Sequence, residues 1–202
     1  MNHPCIVLGL IFGVLLLLSI HGFAQKTDAP NHRFAVRLNT LSVLGLSAIG
    51  DLEYTFGKRV GVFAGGGLGI AAVDPVGLGI ANGLSTPNCK TSGWSSYGGV
   101  RIGLPIGKLV GLSLKGIVSY SHFQEAGSGC NSDIDLPPSP DPYLRNWLGF
   151  YACAAYAQTF AKRFFVEPVI GIGPVWTSLN GQPKLNYLSY GPAFQLNLGF
   201  RF

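Results

Sequence analysis

The last ten residues constrain the fold of this chain more than any other stretch. They read Ala193-Phe194-Gln195-Leu196-Asn197-Leu198-Gly199-Phe200-Arg201-Phe202. Phe194, Leu196, Leu198, Phe200 and Phe202 share one face of an extended segment; Ala193, Gln195, Asn197, Gly199 and Arg201 share the other. Side chains alternate across a strand with period two, so this is a strand with one apolar and one polar side. The chain is 48 % hydrophobic. Beyond its N-terminal segment, no stretch is long and apolar enough to cross a bilayer as a helix, which takes about 20 residues. Hydrophobic content without helical spans fits a barrel whose apolar band faces lipid. The 29 glycines suit a small barrel, where interior space is tight.

The N-terminus points to export. Ile6 to Ile20 is an apolar run of about fifteen residues, too short for a comfortable transmembrane helix. His21-Gly22-Phe23-Ala24 follows, with polar residues from Gln25 onward. Small residues at Gly22 and Ala24 suit signal-peptidase cleavage after Ala24. Residues 1–24 are therefore expected to be a signal peptide and 25–202 a single barrel domain. Met1 to Cys5 carries no Lys or Arg, a departure from the usual basic start. Cys5 precedes the apolar run, which argues against a lipid-anchored N-terminus.

Eight strands are predicted, over 33–43, 47–57, 60–72, 94–104, 110–123, 145–160, 164–177 and 187–202. An even number is expected when both ends of the chain lie on the same side of the membrane. Three connections are short and alike: Phe56-Gly57-Lys58-Arg59-Val60, Ile106-Gly107-Lys108-Leu109-Val110 and Phe160-Ala161-Lys162-Arg163-Phe164. Each sets a small residue and then Lys between apolar strand ends, and these are expected on the periplasmic side. The intervening connections are mostly longer, as extracellular loops are. One of them carries Pro137, Pro138, Pro140 and Pro142, which forbid a regular strand or helix there. Aromatics near the strand ends (Tyr54, Phe56, Trp94, Tyr97, Tyr120, Phe123, Trp147, Phe160, Phe164, Phe165, Trp176 and Tyr187) suit girdles at the two interfaces.

The alternation assigns Arg37, Asp51, Glu53, Arg101, Lys115, Glu167 and Arg201 to the barrel interior. Lys or Arg facing lipid at the midplane costs roughly 2–4 kcal/mol. Eight strands leave an interior just wide enough to be filled by side chains, and charges buried there must be paired. A salt-bridged core is the first reading and a gated polar path or narrow pore the second. The pairings do not follow from the sequence.

Cys89 and Cys130 fall in two different long loops, and export permits a disulfide between them. No CxxC and no Cys/His pair at metal spacing occurs, so no metal is expected. Asp133, Asp135 and Asp141 do not match a calcium-loop spacing. The net charge of +5 is modest, and no aromatic-basic platform suggests a nucleic-acid partner.

The C-terminal pattern of Phe194, Leu196, Leu198, Phe200 and Phe202 resembles the signal that the insertion machinery reads in bacterial outer-membrane barrels. The first hairpin, Phe34-Ala35-Val36-Arg37-Leu38-Asn39-Thr40-Leu41 followed by Gly50-Asp51-Leu52-Glu53-Tyr54-Thr55-Phe56-Gly57-Lys58-Arg59-Val60, is similar to that of small outer-membrane barrel proteins common in Bacteroidota. Together they resemble the eight-stranded barrels of the OmpA/OmpX kind. The resemblance implies an antiparallel, up-and-down transmembrane barrel in the outer membrane. Its expected partners are membrane lipid, the insertion machinery and an extracellular ligand reached through the loops. The resemblance implies no cofactor and no catalytic residue.

Some barrels of that kind remodel lipid, which brings Ser119, Ser121 and His122 under scrutiny. A serine hydrolase needs Ser within hydrogen-bond reach of His. On a strand, His122 faces away from both serines, so an enzyme is not expected. The expected role is structural or surface interaction, with a narrow pore as the alternative and a lipid-acting enzyme the third class.

Overall fold

A computed structural model describes residues 33–40, 47–57, 59–69, 90–104, 111–126, 143–160, 163–179 and 187–202. The expected signal peptide, Cys89 and Cys130 lie outside these residues. The strands are β1 (Phe34–Asn39), β2 (Ser47–Phe56), β3 (Val60–Gly69), β4 (Lys90–Gly103), β5 (Leu112–Ala126), β6 (Tyr143–Tyr156), β7 (Gln158–Phe160), β8 (Phe164–Leu179) and β9 (Tyr187–Arg201). Each pairs antiparallel with its sequence neighbours, except that β6 and β7 both pair with β8, and β9 returns to β1. The sheet is thus closed. β6 and β7 form one interrupted stave, so the barrel has eight.

The interruption has a local cause. β6 and β7 hold a single register against β8, from Gly149 opposite Val175, through Ala155 opposite Val169, to Gln158 opposite Val166. The ladder lapses only around Pro168 and Pro174 of β8. Proline has no N–H to donate, so the ladder loses bonds there without a slip in register.

Several strands differ from their sequence-predicted bounds. β4 starts at Lys90, not 94, and β5 runs on to Ala126. Lys90 pairs with Ala126 and Ser92 with Gln124, so the ladder continues past the apolar alternation into the polar open end of the β4–β5 pair. Hydropathy marks only the part of a strand that has an apolar side. β1 is shorter than predicted, ending at Asn39.

Alternation decides what lies inside. Val36, Leu38, Leu52, Val100, Leu114, Val118, Phe150, Ile170, Ile172 and Leu198 all point outward and are exposed, Ile172 at 63 %. Arg37, Asp51, Glu53, Lys115, Glu167 and Asn197 are buried in the lumen, Arg37 and Glu167 at 1 %. The lumen also holds an apolar cluster that includes Ile49, Phe63, Ile117, Tyr151, Cys153 and Val169. Next to it Phe123 packs on Trp147 with ring centroids 5.5 Å apart. In the last strand the buried residues are Ala193, Gln195, Asn197 and Gly199, while Leu198 and Phe202 are exposed.

The girdle expectation is corrected at four positions. Tyr97, Phe123, Trp147 and Phe165 are buried in the lumen. Each sits at an odd position on a strand whose outward side chains are even, as Trp94, Phe164 and Trp176 are. Nearness to a strand end does not decide which way a ring points; parity does.

Candidate functional site

The candidate site is the charged interior. It is built by register. Arg37 on β1 stands opposite Asp51 on β2, and its Nε donates to Asp51 Oδ1 at 2.7 Å. Arg37 Nη1 reaches Glu53 Oε2 at 2.6 Å and Glu167 Oε2 at 3.2 Å. One guanidinium therefore binds three carboxylates, which its planar fork of donors permits. Glu167 Oε2 also accepts from Lys115 Nζ at 2.5 Å and from Asn197 Nδ2 at 3.1 Å. Glu53 Oε1 takes the Nε of Arg101 at 2.5 Å. Arg37, Arg101 and Lys115 thus balance Asp51, Glu53 and Glu167, the condition under which buried charge is tolerated.

Small residues make room for these contacts. Asp51, Gly65 and Tyr97 lie in one transverse row. A Cβ on Gly65 would come within 2.6 Å of the Asp51 Cα. With glycine there, Tyr97 OH reaches across β3 and donates to Asp51 Oδ2 at 2.7 Å. Thr55, Gly61 and Arg101 form a similar row, and a Cβ on Gly61 would meet Glu53 Oε1 at 2.7 Å. Phe63 contributes a ring face: Arg37 Cζ lies 5.0 Å and Lys115 Nζ 5.4 Å from its centroid, within cation–π range.

Arg201 stands apart from the ion pairs. Among the described residues it has no carboxylate partner within salt-bridge distance. Its Nη1 donates to Thr159 Oγ1 at 2.8 Å, and its guanidinium lies 4.5 Å from the Phe165 centroid. Together with Glu53, Arg101 and Glu167 it lines a cavity of about 30 Å³ toward the short-turn end, about one water's share of volume. Tyr97, Asn197, Thr55 and Phe63 belong to the network although sequence reasoning did not select them. Thr55, Tyr97 and Asn197 share the odd-numbered faces of Glu53, Arg101 and Arg201, which carry the signal; Phe63 stands on a strand with no charge to mark its face.

The serine–histidine group is not assembled. Ser119 and Ser121 are buried inside. His122 sits on the outer side, its Nδ1 2.7 Å from Asn146 Oδ1, which also accepts from Tyr120 OH at 2.9 Å. Cys153 is a buried free thiol in the lumen.

Fold and site together define a class: a closed, eight-stranded, up-and-down antiparallel barrel with a charged interior and an apolar exterior. No family model matches the chain, and no curated protein does. Two solved barrels are similar to it over most of their length. The N-terminal beta-barrel domain of Pseudomonas aeruginosa OprF shares 15 % identity at a TM-score of 0.37, covering 84 % of this chain and 96 % of that one. Acinetobacter baumannii CarO2 shares 13 % at 0.39, covering 85 % and 98 %. Likeness at this level leaves the role of the chain to its own residues.

Proposed function

We propose that this chain is an integral protein of the bacterial outer membrane whose barrel is a filled scaffold displaying its long connections to the outside. Residues 1–24 act as the export signal and residues 25–202 form the mature domain. The observation that carries the reading is the inversion of the barrel. Ion-paired side chains fill the inside, and a belt of Val, Leu, Ile and Phe covers the outside. In water such an exterior would favour aggregation; in a bilayer it is the low-energy arrangement. The apolar side of the last strand would serve as the recognition element for the insertion machinery.

A filled lumen favours a structural or surface-interaction role over conduction. Network side chains from seven of the eight staves meet in it, and the cavity beside Arg201 among the described residues has room for only about one or two waters. The long loops supply adaptable binding surface, and a Cys89–Cys130 bond would tie two of them together. No catalytic role is proposed, because Ser119 and Ser121 face away from His122.

The test is electrophoretic mobility of the outer-membrane fraction, boiled against unboiled, followed by conductance in planar bilayers. A mobility shift without resolvable current steps supports the filled scaffold. A shift with discrete steps would establish the pore instead. A soluble periplasmic protein with no shift would overturn the membrane reading.

A further inference from the structure

Resting on the outer-membrane reading, we propose that the short-turn rim is a docking surface for the anionic headgroups of phospholipids in the membrane leaflet that it meets. The three short connections carry Lys58, Arg59, Lys108, Lys162 and Arg163 and no acidic residue. The connections at the opposite end carry Asp74, Asp133, Asp135 and Asp141 against a single Lys184. Lys90 and Arg145 against Glu125 at the strand ends leave the opposite rim with an acidic excess, so the barrel is polarised along its axis, positive at the end with short turns.

The described arginines of this rim are held in place. The Thr55 N–H donates to the Arg33 carbonyl at 2.7 Å, the Gly103 N–H to that of Arg59 at 2.6 Å, and the Arg201 N–H to that of Arg163 at 2.9 Å. Each bond ties an arginine's backbone to the strand beside it, while all three residues stay exposed. The arginines thus mark three separate points of the circumference: at β1/β2, at β3/β4 and at β8/β9.

Directly below them on the outer face lie aromatic rings. Phe34, Tyr54 and Phe56 form one group, with successive centroids 4.9 and 4.7 Å apart. Phe164, Phe200 and Phe202 form another, at 4.8 and 5.0 Å. The Arg163 guanidinium lies 6.0 Å from the Phe200 centroid. A cation above an aromatic belt is the arrangement expected where acyl chains give way to headgroups. Basic residues at that level attract anionic lipid through both contact and surface potential. Charge complementarity and continuity with the apolar belt select a phosphate-bearing lipid over a soluble anion.

The test uses the whole protein folded into vesicles of phosphatidylcholine mixed with phosphatidylglycerol, released in a nonionic detergent and weighed by native mass spectrometry. Retained phosphatidylglycerol is expected in severalfold excess over its share of the vesicle. The excess should fall toward unity in the Arg33→Gln/Arg59→Gln/Arg163→Gln variant. Retention in proportion to the vesicle, or an excess that survives the triple substitution in a barrel still showing its mobility shift, would overturn the proposal. Absence of a mobility shift for the unaltered protein in any vesicle would overturn the membrane reading, and this one with it.

Discussion

Arg37 and Glu167 lie 130 residues apart in the chain, and their side chains meet in the lumen at 3.2 Å. The contact joins β1 to β8 across the intervening β9. Glu167 is at the same time held by Lys115 of β5 and Asn197 of β9. This meeting can form only when the barrel has closed, so the network reports closure as well as composition.

Replacing Arg37 with Met should be strongly destabilising. Asp51, Glu53 and Glu167 would all lose a cation while remaining buried. Removing one partner from a buried ionic cluster typically costs about 3–5 kcal/mol. Denaturant unfolding in lipid vesicles, with the unboiled gel band as readout, should show the loss; an unchanged midpoint would contradict a structural role for the network.

Tyr97→Phe isolates one hydrogen bond. The ring still fits its place against Phe63, but Asp51 Oδ2 loses its hydroxyl donor. A cost of about 1–3 kcal/mol is expected for a buried acceptor left short. Gly65→Val should cost more than Tyr97→Phe, because it displaces both Asp51 and the path of the tyrosine. The same unfolding measurement, made on the two variants side by side, gives the order.

Ile172→Arg separates a membrane barrel from a soluble one. Ile172 is 63 % exposed and points outward near the middle of β8. In water an exposed Ile→Arg change would be close to neutral. Facing lipid near the midplane it should cost roughly 2–4 kcal/mol. Reduced insertion yield into vesicles, set against Ile172→Val as control, is the expected result.

Cysteine labelling distinguishes Cys153 from Cys89 and Cys130. Cys153 is buried in the lumen, so a maleimide should modify it only after unfolding. If Cys89 and Cys130 are bonded, mass mapping of the non-reduced protein should find their peptides linked. Rapid labelling of Cys153 in the folded barrel would contradict the packed interior.

Much of this architecture is legible from one local rule. Alternation needs only that a strand projects successive side chains to opposite faces, so a single chain segment already states which of its residues belong together. Arg37 among Val36 and Leu38, or Glu167 between Val166 and Pro168, declares a polar face before any partner is known. The interruption at β6/β7 was less legible. It arises from Pro168, which belongs to the neighbouring strand, and a missing N–H acts on the strand it should have bonded.

The sequence alone determined the number of staves, their antiparallel succession and the parity that puts charge on one face and apolar residues on the other. These are properties of each strand and of the turns between neighbours. Only the tertiary structure decided which charges pair, because pairing depends on register summed around a closed sheet. Lys115 lies beside Arg101 along the β4–β5 ladder, yet it bonds Glu167 across the lumen. Arg201 stands opposite Ala35, whose other partner is Glu53, yet it turns to Thr159 and Phe165. The rings misread as girdle, Tyr97 and Phe165, show the same division of labour: their composition suits either environment, and the face they occupy chose the lumen.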